Sequence, residues 1–120
     1  MTTELWDKHG QATAYVDDDK ESIYMRDGTP VAWLCESGVY AYGGKFLGWL
    51  YEGWIFGRDG KGVLFTERAQ PGPVKPFRQA AEDRGDQGPR PSHAARDAAS
   101  RRPGRSPVWS STDALTFFNQ

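Results

Sequence analysis

The sequence predicts an all-β fold. Four β-hairpins, eight short antiparallel strands in all, should surround a common centre and lead into a largely disordered tail that contains proline and arginine. Two observations carry this. The first is an internal repeat: Leu5-Trp6-Asp7-Lys8-His9-Gly10, Ile23-Tyr24-Met25-Arg26-Asp27-Gly28, Val39-Tyr40-Ala41-Tyr42-Gly43-Gly44 and Ile55-Phe56-Gly57-Arg58-Asp59-Gly60. An aromatic stands four residues before each glycine, and Tyr15, Trp33, Trp49 and Phe65 stand five after it. The glycines fall 18, 16 and 16 apart (10 to 28, 28 to 44, 44 to 60). A repeat of this period dictates architecture before any local motif does. The second observation is a break in composition at Gln70-Pro71-Gly72-Pro73. Seven of the eight prolines lie from there onward.

Each unit reads as a hairpin in turn. Arg26-Asp27-Gly28 separates the apolar runs Ile23-Tyr24-Met25 and Val31-Ala32-Trp33-Leu34. A type I turn ending in a left-handed glycine closes such a three-residue loop, and aspartate suits the position before it. Asp17-Asp18-Asp19-Lys20-Glu21-Ser22, Glu36-Ser37-Gly38 and Glu52-Gly53 are the polar corners between hairpins. An isolated hairpin is marginal in water, so the four must pack together.

A three-residue loop pairs Met25 with Thr29, Tyr24 with Pro30 and Ile23 with Val31. One face then collects Leu5, Ile23, Val39 and Ile55 with Thr13, Val31, Leu47 and Val63, joined by Tyr15, Trp33, Trp49 and Phe65. This is the expected core, with Trp33 and Trp49 near the centre. The other face holds Trp6, Tyr24, Tyr40 and Phe56 opposite Ala14, Ala32, Gly48 and Leu64. A one-residue difference at the turn would exchange the sets.

The pattern apolar-aromatic-x-x-Asp/Gly-Gly, followed by Ala32-Trp33-Leu34 or Gly48-Trp49-Leu50, resembles the four-fold β-flower domain of bacterial proteins. The resemblance covers residues 5–69. It extends to the end of the chain through Trp109-Ser110-Ser111 and Phe117-Phe118, while Gln79-Ala80-Ala81-Glu82-Asp83 departs from the Pro/Arg alternation of the family's tail. The resemblance implies four hairpin petals and no activity, since the family has no established function.

The expected organisation is a four-repeat domain at 1–69, a disordered linker at 70–107 and a short apolar docking segment at 108–120. Between Ala69 and Pro107 little apolar material is present to offset chain entropy. Apolar residues return at Val108, Trp109, Leu115, Phe117 and Phe118. Ser111 or Thr112 could cap one helical turn, with Asp113 favourable at its start; that turn would present Leu115 and Phe118 on one side. No apolar run approaches the ~20 residues that span a bilayer. No signal peptide is visible at Met1-Thr2-Thr3-Glu4, which predicts a cytoplasmic protein.

The sequence offers little for catalysis. Cys35 is the single cysteine, which excludes an intramolecular disulfide and a Cys-based metal site. Neither His9 nor His93 has a partner at a meaningful spacing. Asp17-Asp18-Asp19 lacks the spacing of a calcium loop and reads as a solvated turn. No cofactor, metal or enzymatic activity is expected. Residues 1–69 carry seven Lys/Arg and eleven Asp/Glu, a net of −4 (7 − 11), and residues 70–120 carry eight and five, a net of +3 (8 − 5). Two function classes follow. The first is a non-catalytic interaction or scaffold module that binds protein or peptide through Trp6, Tyr24, Tyr40, Phe56, Trp109, Leu115, Phe117 and Phe118. Its C-terminal segment would dock on its own body, on a second copy or on another protein. The second is a nucleic-acid-associated protein using Arg90, Arg96, Arg101, Arg102 and Arg105 on phosphates. The acids between those arginines weigh against it.

Overall fold

Every glycine-closed turn joins an antiparallel pair, and the four pairs meet edge to edge. The computed structural model describes residues 2–80, 83–98, 104 and 106–120. The strands are β1 (Thr3–Trp6), β2 (Ala12–Val16), β3 (Ser22–Met25), β4 (Pro30–Cys35), β5 (Gly38–Tyr40), β6 (Phe46–Tyr51), β7 (Trp54–Gly57) and β8 (Gly62–Phe65). Each pairs with the next, and β8 returns to β1 to close a barrel through Trp6 and Phe65. One short helix, α1 (Ala114–Phe118), follows near the C-terminus. The all-β fold of four hairpins around a centre is therefore as expected, and closure removes free sheet edges.

The turns form as the sequence requires. At Gly28 φ is +97°, a left-handed conformation that glycine adopts without a Cβ clash, and Gly10, Gly44 and Gly60 share it. Asp27 Oδ1 accepts from the Thr29 N–H at 2.9 Å, and Asp59 does the same for Lys61 at 3.0 Å. Met25 N–H donates to Thr29 O at 2.9 Å. At the opposite corners, Glu36 and Ser37 (φ 53° and 87°) and Glu52 and Gly53 (φ 49° and 83°) make the tight reversals.

The expected faces are corrected one residue beyond the turn. Tyr24 does face Pro30, but Ile23 faces Ala32, not Val31. The same shift puts Leu5 opposite Ala14, Val39 opposite Gly48 and Ile55 opposite Leu64. Thr13, Val31, Leu47 and Val63 are thus extra residues in four equivalent β-bulges. Each bulge inverts the strand after it. The interior is built from Leu5, Ile23, Val39 and Ile55 with Ala14, Ala32, Leu64, Val31, Leu47 and Val63. Tyr15, Trp33, Trp49 and Phe65 turn outward and join Trp6, Tyr24, Tyr40 and Phe56. Trp33 and Trp49 are buried, as expected, but in an outer cluster with Tyr40 and Phe46, not at the centre. An eight-stranded barrel has room inside for side chains of about this aliphatic size, which leaves the rings no place but the wall.

Helix α1 closes the barrel end that carries the glycine turns. Ala114, Phe117 and Phe118 join the interior cluster, and a Cβ at Gly57 would lie 3.8 Å from the Phe117 ring. The cap is Asp113, whose Oδ1 accepts from Thr116 N–H at 2.8 Å, and not Ser111 or Thr112. The expected pairing of Leu115 with Phe118 is also corrected. Positions 114, 117 and 118 form one face of the helix, so Leu115 points outward at 52% exposure.

Two outcomes follow. Gly28→Val should destabilise the protein by roughly 1 kcal/mol or more, because a β-branched residue fits the left-handed region badly. Urea unfolding measures this. Phe117→Ala should cost about 3–5 kcal/mol, as for a buried ring, while Leu115→Ala should stay within about 0.5 kcal/mol. Equal effects in the two variants would show that α1 docks by another face.

Candidate functional site

The eight outward rings form a girdle, and the chain's own tail runs over it. Residues 70–107 contain no strand or helix among those described, as a proline-rich segment should. The described part of the 70–107 linker lies on the barrel wall as a strap. Gln79, Gly88 and Asp97 each donate their N–H to a turn-glycine carbonyl, of Gly10, Gly28 and Gly44, all at 2.8 Å. Ser106 donates to the Gly60 carbonyl at 3.0 Å. These four amides are nine residues apart (79, 88, 97, 106), so the strap advances nine residues per hairpin. The strap's carbonyls at Phe77, Asp86 and Ala95 press on the same glycines, where an added Cβ would lie 2.0, 1.8 and 2.1 Å from oxygen. The absence of a side chain therefore serves the turn and the strap together.

Basic strap side chains cover the rings. The Arg78 guanidinium lies 4.9 Å from the Trp6 ring centre, Arg84 lies 4.1 Å from Tyr15, and Arg96 lies 5.5 Å from Tyr40. His93 stacks on Trp33 with centroids 4.0 Å apart and planes 6° from parallel. A cation over an electron-rich ring face gains about 0.5–2 kcal/mol, more as water is excluded. Between sites the rings pair with one another: Tyr15 stacks on Tyr24 at 5.7 Å and Trp33 on Tyr40 at 5.3 Å.

A third row gives each site its own chemistry. Two residues before Trp6, Tyr24, Tyr40 and Phe56 stand Glu4, Ser22, Gly38 and Trp54. Glu4 holds both Arg84 of the strap and Arg26 of the barrel. Ser22 Oγ donates to Asp19 Oδ2 at 2.6 Å, and Arg90 reaches the same pair, at 2.7 Å from Asp19 Oδ2 and 2.9 Å from Ser22 Oγ. At Gly38 the space goes to the Tyr40 ring, 2.7 Å from where a Cβ would lie, and Arg96 reaches Cys35 Sγ nearby. Trp54 Nε1 donates to Gln70 O at 2.7 Å where the strap leaves the barrel, and Trp109 returns to the Trp54 ring at 5.3 Å.

Of the sequence-predicted site residues, Trp6, Tyr24, Tyr40 and Phe56 do share the outer face but are covered, at 8, 3, 3 and 2% exposure. Trp109 joins the Trp6–Trp54–Phe56–Phe65 cluster. Phe117 and Phe118 belong to the interior, and Leu115 stands apart from both groups. Arg90 and Arg96 have partners on the barrel; Arg101, Arg102 and Arg105 lie outside the described residues. The nine-residue step of the strap and the third row were missed. The signal for the strap was the nine-residue spacing Lys75, Arg84, His93, Arg102. The signal for the row was the same 18, 16 and 16 spacing at residues 4, 22, 38 and 54.

The polar chemistry of the wall is that of salt bridges and turns. The Asp19 carboxyl is held below its ordinary value although burial acts to raise it, because the Ser22 hydroxyl, the Ser22 and Glu21 N–H groups and Arg90 outweigh burial. Burial pushes the Tyr24 phenol up, and Arg90 opposes it. Among the described residues no group of three or more His, Cys, Asp or Glu could hold a metal ion, and no helix is long and apolar enough to cross a membrane.

Comparison with known proteins places residues 3–118 in a match to one family model, described as 4-fold beta flower protein. The match takes in barrel, strap and helix together. No curated protein and no solved structure matches the chain.

Acid should loosen the site formed by Asp19, Ser22 and Arg90. A carboxylate depressed in the folded state stabilises fully above its ordinary pKa and loses that contribution as pH falls through the folded value. Corrected for the intrinsic slowing of amide exchange in acid, the protection of the Glu21 and Ser22 N–H groups should therefore fall as pH drops below the ordinary carboxylate range, and Asp19→Asn should remove this local pH response.

Proposed function

From the premise that the chain belongs to the four-fold β-flower family, we propose that it is a non-catalytic interaction or scaffold module whose own tail docks on the ring-lined wall in cis. One observation carries the reading: the four strap amides at nine-residue intervals that meet equivalent glycine carbonyls on four hairpins. A tail that merely collapsed on the body would have no reason to keep step with the repeat. The charge split supports it, because a body of net −4 receives a tail of net +3 (7 − 11 and 8 − 5). Arg90 and Arg96, which a phosphate-binding role would use, already have acceptors or rings on the barrel, and this favours a protein over a nucleic-acid partner. What stays open to a further protein is a set of apolar side chains on the strap and helix: Val74, Phe77, Val108 and Leu115. A cytoplasmic setting suits the lone Cys35, which needs no oxidising compartment.

Amide exchange on the full chain tests the cis reading. Gln79, Gly88, Asp97 and Ser106 should exchange at least ~10-fold more slowly than their strap neighbours with free N–H groups. Random-coil exchange at all four would overturn it and leave the rings open to an external partner.

A further inference from the structure

The strap is a bound peptide that happens to be covalently attached, so it displays what the wall recognises. We infer that the wall is a receptor for an extended, arginine-bearing segment of another protein, and that the strap between residues 83 and 98 is a displaceable stand-in for that segment. The inference rests on the cis reading above and names the partner class.

Three features describe the ligand. Its backbone forms no helix or strand of its own and gives one N–H per hairpin to a glycine carbonyl, as Gly88 and Asp97 do at 2.8 Å. It carries cations that lie over the rings of Tyr15 and Tyr40, as Arg84 and Arg96 do at 4.1 and 5.5 Å. It offers a guanidinium to a carboxylate in the third row or its corner, as Arg84 does to Glu4 and Arg90 to Asp19. A planar, many-donor guanidinium satisfies rings and carboxylates together, which an ammonium does less well. Backbone bonds set the register of the bound chain, and the unlike residues Glu4, Ser22 and Gly38 set which side chain each site prefers. This is how strand-like peptide recognition divides affinity from specificity.

Other features fit an occupant that can leave. Residues 89–98 are exposed throughout, so this part of the strap contributes no buried core. A cavity of about 240 Å³ remains between strap and wall at the first hairpin, lined by Ala12, Thr13, Arg26, Gln79 and Ala80 among others. The Arg90–Asp19 pair has side-chain exposures of 53% and 31%. Exposed ion pairs of this kind contribute only about 0.2–1 kcal/mol each. The strap holds its place chiefly because attachment gives it an effective concentration on the order of millimolar.

The test weakens the cis occupant without touching the wall. The full chain carrying R84Q, R90Q and R96Q is titrated with a fluorescein-labelled peptide of residues 83–98 in the natural sequence, and anisotropy is read. The peptide should bind this variant at least tenfold more tightly than it binds the wild-type chain. Binding should weaken with salt, and the same peptide with its three arginines replaced by glutamine should bind at least tenfold less. Equal binding of the two peptides, or none, to a variant with an unchanged far-UV spectrum overturns the inference. If the triple variant unfolds, R90Q alone serves, read by peptide-induced shifts of the Trp33 indole and Ser22 amide; no shifts at high micromolar peptide also overturns it. Failure here with slow exchange retained at Gly88 and Asp97 in the wild-type chain would leave the cis reading standing and make the strap purely structural.

Discussion

Four glycine turns carry the rest of this structure. Each reverses the chain through a left-handed φ that a side chain resists and offers its carbonyl to a strap amide, and at Gly10, Gly28 and Gly44 the strap's backbone lies against the bare Cα. The first property makes four hairpins; the second makes four landing points for the strap. Because the turn and the landing point are one residue, the strap's period is tied to the repeat's geometry. Amides 79, 88, 97 and 106 meet the glycine carbonyls of the four hairpins at nine-residue intervals and so fall in step with the repeat.

The bulge after each turn decides what is core and what is surface. One extra residue in the second strand of every hairpin sends Ala14, Ala32 and Leu64 inward and their aromatic neighbours outward. The interior is then a compact aliphatic cluster plugged by Phe117 and Phe118. The wall becomes an aromatic belt that water would hydrate poorly. A contiguous apolar surface calls for a cover, and the strap supplies one whose residues 83–98 are mostly polar or small. Cations over rings and carboxylates suit this role, since they bury little and keep both partners near water.

Four-fold symmetry is held by the backbone and broken by side chains. The glycines and the eight rings repeat, whereas Glu4, Ser22, Gly38 and Trp54 differ at one shared position. The strap differs in parallel: Arg84 meets Glu4, Arg90 meets Ser22 with Asp19, Arg96 lies by the gap at Gly38, and Gln70 meets Trp54. A regular scaffold with unlike sites can read an ordered series of side chains, and one strap can settle in only one register on it.

The amino-acid sequence by itself determined the repeat, the hairpins, the positive φ of Gly10, Gly28, Gly44 and Gly60, and the clustering of rings on the strands. Those depend on residue chemistry within a few positions: aspartate before glycine, alternation of apolar side chains, polar corners. Only the tertiary structure decided which face is inside, because a bulge of one residue is invisible to a period-of-two count yet inverts every side chain beyond it. It also decided the fate of the tail. Residues 70–98 hold too little apolar material to fold alone, and composition reads such a chain as disordered. The contacts of residues 70–80 and 83–98 are made to a wall that exists only when four distant hairpins have closed into a barrel. The same holds for α1: Phe117 and Phe118, not Leu115 and Phe118, form its buried face, since the open end of the barrel, and not the helix, selects which side chains enter it.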